Sequence, residues 1–145
     1  MAQGNRIERR TMNSLAETLT SEFNVNPPVS IEAIRQFERE SGMSLREDYA
    51  AFLMHSNGGE GFVRKGYASL WRLEDLAEKN RSYRVADCAP GLYLFGSDGG
   101  GEAFAFDMRS KERPIVRVPF IPLDLKEVQA LAPTFEGFLG ALRNS

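Results

Sequence analysis

Residues 94–107 read LFGSDGGGEAFAFD: an aspartate, three consecutive glycines, and a short apolar run on each side. The fold turns on whether a helix or a strand follows the glycines. A P-loop needs lysine and then serine or threonine after its last glycine, to reach phosphate and magnesium. Here Glu102 and Ala103 follow Gly101, and a carboxylate at that place repels phosphate. A dinucleotide fingerprint opens a helix whose amides hold the pyrophosphate, but residues 102–107 alternate with strand period and Phe104 takes the third glycine's place. A calcium loop counted from Asp98 has Gly100 at its second ligand, Ala103 where glycine is required and Arg109 where the closing glutamate belongs. What remains is a reversal between two strands. Glycine supplies the positive φ that reversals use, with Gly100 as the candidate position. Asp98 accepts backbone hydrogen bonds as an Asx-turn residue.

Working outward, GLYLF gives an apolar strand over residues 92–95. In EAFAFD, Phe104 and Phe106 face one way and Ala103 and Ala105 the other, with room on the alanine side. PIVRVPF is a further strand with Arg117 opposite Val116 and Val118. Pro114 and Pro119 bound it and mark an edge or a strand end. Upstream, YASLWRLEDLAEKN predicts a strand near residues 68–71 and a short helix over 74–79.

The helices lie outside this block. Ser30 caps one with Ile31, Ile34 and Phe37 on a stripe, and Gly42 stops it. Ser44 with Glu47 reads as a capping box before Leu45, Tyr49, Phe52 and Leu53, which share a face; Asn57, Gly58 and Gly59 close that helix. Thr134 caps a final helix with Phe135, Phe138, Leu139 and Leu142 in register. Met12, Leu15, Leu19 and Phe23 predict one more helix, broken by Pro27 and Pro28. Helices first, strands in the middle and a helix last predict an α+β single domain, a central, mainly antiparallel sheet flanked by helices. Residues 1–25 read as an N-terminal extension and residues 26–145 as the domain.

A length of 145 residues suits one domain. The net charge of −2 is too weak and too mixed to suggest direct nucleic-acid binding. The one cysteine excludes an internal disulfide and suits a reducing cytosol. The first residues lack the apolar core of a signal peptide, and no apolar run approaches membrane-spanning length. The expectation is a cytoplasmic protein that does not enter a membrane.

The chemistry-bearing residues do not assemble into a catalytic set. His55 is the only histidine and Cys88 the only cysteine, too few for a zinc site, and Cys88 has no neighbouring base. Arg109, Lys111 and Arg113 crowd a turn, where a solvated loop is the simplest reading. No cofactor and no metal are expected. The chain reads as a binding domain that works by touching a protein. The candidate contact residues are the carboxylates Glu60, Asp98, Glu102 and Asp107 near the glycine turns, with Trp71 as an aromatic anchor.

Four segments in order carry a resemblance: IEAIRQFERESGMSLREDYAAFLMHSNGG, SLWRLEDLAEKN, LYLFGSDGGGEAFAFD and APTFEGFLGAL. Together they resemble the SMI1/KNR4 family of the SUKH superfamily, over residues 30–142. The family pattern commonly has proline after the leucine at the second helix entry, where this chain has Arg46 after Leu45. The resemblance implies an α+β fold and, in bacteria, an immunity protein that binds and neutralises a cognate toxin, often a nuclease. Fungal relatives imply the alternative, a regulatory or scaffold domain bound to a cellular protein. The family pattern supplies no catalytic residues.

Overall fold

The computed structural model describes residues 23–63 and 66–143. In chain order the elements are β1 (Phe23–Val25), α1 (Ile31–Ser41), α2 (Glu47–Leu53), β2 (Gly59–Val63), β3 (Gly66–Leu70), α3 (Leu73–Ser82), α4 (Val85–Cys88), β4 (Leu92–Ser97), β5 (Glu102–Asp107), β6 (Ile115–Pro119), a 3-10 turn (Leu125–Glu127), β7 (Gln129–Ala132) and α5 (Phe135–Arg143). The described strands form one seven-stranded sheet in the order β1 to β7, every neighbouring pair antiparallel. The α+β architecture expected from the sequence is the one observed.

One face of the sheet carries an aromatic core. Tyr49 and Phe52 of α2, Phe95, Phe104 and Phe106 of the sheet, and Phe135 and Phe138 of α5 meet there. Their closest ring centroids are 4.5 Å apart for Phe95–Phe106 and 4.8 Å for Phe104–Phe138. Rings of this size dominate the burial term and favour the stacked and edge-on contacts seen here. The alanine side of β5 has no vacancy, since Ala103 and Ala105 are fully buried opposite Val118 and Val116.

β3 pairs with only the end of β4, through Ser69↔Ser97 and Leu70↔Gly96. Asn80 of α3 serves the backbone that β3 leaves bare. Its Nδ2 donates to the Leu94 carbonyl at 2.9 Å and its Oδ1 accepts from the Leu94 amide at 2.9 Å. One side chain thus does the work of a strand partner and fixes α3 to the sheet, because a buried amide pair left unmet is costly.

Several expectations change. The helix read from Met12 lies outside the described residues except for Phe23, which opens a strand instead. The Ser44–Glu47 capping box does not form: Arg46 is the N-cap of α2 and makes no side-chain cap. The Leu45 amide donates instead to Glu38 Oε2 at 2.8 Å, and the Ser44 carbonyl accepts from Arg113. α2 ends at Leu53, before Asn57, whose side chain has a different task. Its Oδ1 accepts from the Leu73 amide at 2.8 Å and so caps α3 from a distant loop. Gly59 starts β2, where a Cβ would lie 2.7 Å from the Asn24 carbonyl of β1; only glycine permits that approach. β6 is an inner strand between β5 and β7, so Pro119 marks a strand end and not an edge.

Candidate protein-binding face

The 98–101 segment is a hairpin turn, as the sequence indicates. Asp98 Oδ1 accepts from the Gly100 amide at 2.7 Å and the Glu102 amide at 3.1 Å, while the Asp98 amide donates to the Glu102 carbonyl at 3.0 Å. The positive φ angles belong to Gly99 (76°) and Gly101 (104°), not to Gly100. Asp98 holds this arrangement by drawing the Gly100 and Glu102 amides onto one carboxylate oxygen, with the positive-φ glycines on either side of Gly100.

The turn rests on a neighbour from β3. A Cβ at Gly99 would lie 2.8 Å from the Tyr67 ring. The Tyr67 hydroxyl donates to the Glu60 carboxylate on β2, and that bond raises the phenol's pKa. Across the same strand pair, Phe62 sits opposite Tyr67 with ring centroids 5.5 Å apart, edge to face. Phe62 remains 50% exposed. In an antiparallel pair, side chains directly opposite share a face. Glu60, Phe62, Tyr67 and Ser69 therefore line the outward face, while Val63, Ala68 and Leu70 are buried.

On the turn's other side, the Phe120 amide donates to the Gly101 carbonyl at 2.9 Å. Phe120 lies 4.7 Å from Tyr83, and Tyr83 stacks on Trp71 at 6.3 Å with an interplanar angle of 11°. Lys79 places its ammonium 5.1 Å from the Trp71 centroid. Trp71 itself is buried, so this row reaches solvent through Tyr83, 41% exposed; Ile121, next to Phe120 in the chain, is 91% exposed. Glu60 and Trp71 also share a groove of about 410 Å³ with Asn24, Ser69 and the Arg72–Asp75 ion pair (3.2 Å).

The structure thus links four of the five candidates through contacts around one end of the sheet. Glu60 joins the turn through Tyr67, Asp98 and Glu102 bracket the turn, and Trp71 joins it through Tyr83 and Phe120. Glu102 also meets Arg117, whose Nε lies 3.6 Å from its carboxylate. Asp107 stands apart, at the far end of β5, where it holds Arg109 at 2.9 Å within the β5–β6 turn. That guanidinium bond keeps the Asp107 carboxyl below the usual aspartate range. Phe62, Tyr67, Tyr83 and Phe120 were not legible as contact residues. Their signal is cross-strand register and ring stacking, which exist only after pairing. Among the described residues no group of three His, Cys, Asp or Glu side chains could hold a metal ion, and no helix is long and apolar enough to cross a membrane.

Residues 28–141 match the SMI1 / KNR4 family (SUKH-1). The chain belongs to the SMI1/KNR4 family. The matched span runs from just after β1 into α5, so it takes in the turn and the linked aromatic residues around it. SMI1/KNR4 domains are in general non-catalytic protein-interaction domains. A search of curated proteins found no match.

Proposed function

We propose that this SMI1/KNR4 domain is a non-catalytic immunity protein that binds a cognate toxin domain through the turn end of its sheet. The reading rests on one observation above all. Phe62 is half exposed on an open strand face, held edge-on by Tyr67, with the Glu60 carboxylate beside it. An aromatic ring kept rigid among polar neighbours is the usual composition of an interface centre. The carboxylates of Glu60 and Asp98 add negative charge at its border, which suits a basic partner such as a nuclease and speeds encounter. Binding in this mode covers or distorts the toxin's active site, and the cytoplasm is where such a toxin must be met.

The test is affinity capture of the full chain from its native host, identification of the bound protein, and co-expression with that protein. A toxin-like partner whose toxicity is relieved by the wild type, but not by Phe62→Asp, supports the proposal. A cellular partner unrelated to toxins instead selects the regulatory role. Capture of a toxin that Phe62→Asp still neutralises moves the interface to another face.

A further inference from the structure

We propose that a second groove, between the end of α1, α3, α4 and the start of β4, binds a small amphipathic carboxylate. The groove holds about 450 Å³, within the size range of small-molecule sites. Met43, Ala77, Val85 and Leu92 supply apolar lining, and Arg81 and Tyr93 supply polar groups.

Most of the polar side chains in the groove are already engaged. Asn80, also in the wall, spends its amide on the Leu76 and Leu94 carbonyls and the Leu94 amide. Arg84 is held by Asp87 at 3.1 Å, so those two charges offset each other. The Arg81 guanidinium and the Tyr93 hydroxyl have no hydrogen-bond or ion-pair partner among the described residues. Both line the same groove. Burial pushes the Tyr93 pKa up to about 12 against the pull of Arg81, so the hydroxyl remains a donor at neutral pH.

A guanidinium and a phenol O–H thus stand unpaired beside an apolar channel. Guanidinium has donors and no acceptor, so it takes an anion and repels a cation. One uncompensated positive charge matches a singly charged head. The apolar lining requires a body that gains from leaving water. A carboxylate on a short hydrocarbon meets all three conditions. This site is independent of the turn-end face, so its failure leaves the toxin-binding proposal standing.

The experiment is a titration of the ¹⁵N-labelled full chain with octanoate, alongside octanol and acetate, read by amide chemical shifts. Saturable octanoate shifts at Ala77, Val85 and Leu92, with octanol and acetate both weaker, support the proposal. Arg81→Gln should weaken octanoate about tenfold, the scale of one charge-assisted hydrogen bond, and Tyr93→Phe should weaken it less. Arg81 is exposed and its guanidinium unpaired, so melting curves of Arg81→Gln should overlay those of the wild type. The proposal is overturned if octanoate does not saturate, if octanol binds as tightly, or if Arg81→Gln leaves the octanoate affinity unchanged.

Discussion

At the scale of single residues, the glycine turn separates conformation from space. Gly101 has a φ of 104° and nothing within 4 Å of where a Cβ would stand. Gly100 has an ordinary φ and only the Asp98 carboxylate nearby, at 3.6 Å. Gly101→Ala should therefore cost about 1–2 kcal/mol from backbone strain alone. Gly100→Ala should leave stability almost unchanged, and urea unfolding of the two variants reads the difference directly. Asp107 gives a pH-dependent counterpart. Its folded pKa is depressed, chiefly by the Arg109 hydrogen bond, so its stabilisation is complete above the unfolded value and lost as pH falls through the folded one. Relative to Asp107→Asn, the wild type should hold a constant advantage from neutral pH down to about pH 5. That advantage should shrink through and below about pH 4, the unfolded aspartate range. Equal acid limbs for the two proteins would show that the pair contributes nothing.

At the scale of elements, Asp48 joins two helices that are far apart in the chain. It is buried at 7% exposure, and its Oδ2 accepts from the Phe135 amide at 2.9 Å and the Glu136 amide at 3.2 Å, capping α5 from the first turn of α2. Its Oδ1 takes Arg46 Nε at 3.0 Å, and Arg46 in turn donates to the Glu112 carbonyl in the β5–β6 turn. A carboxylate at a helix N-terminus satisfies orphan amides and complements the dipole. Asp48→Ala removes the carboxylate that both amides and the Arg46 Nε donate to and should cost about 3 kcal/mol. Chemical denaturation should show it, with Asp48→Asn intermediate because one oxygen acceptor remains. Thr134 adds a local cap, accepting from the Gly137 amide at 2.9 Å. Thr134 was visible in the sequence as a cap because its partner is three residues away. Asp48 was not, because its partners are 87 and 88 residues away.

At the scale of the whole molecule, the turn end of the sheet gathers side chains from β2, β3, β5 and the segments after β3, α3 and β6. Glu60→Lys reverses the charge at the border of the Phe62–Tyr67 pair without entering the core. It should slow association with a basic partner at low salt, and the deficit should narrow as salt screens it. Asp107→Ala, at the other end of β5, should leave association unaltered. Surface-plasmon kinetics at two salt concentrations would distinguish the two variants.

By itself the sequence determined the α+β class, the hairpin at residues 98–101, the helix stripes around Ile34, Phe52 and Phe138, and the family resemblance. Each of these depends on residues close in the chain: periodicity, a cap three residues off, a glycine run. Only the tertiary structure decided that β2, with two glycines in five residues, is a strand, that Asn57 and Asp48 cap helices they do not belong to, and that Tyr67 carries Glu60 to the glycine turn. These are cross-chain contacts made once the sheet has chosen its register, and no local pattern of residue types encodes them.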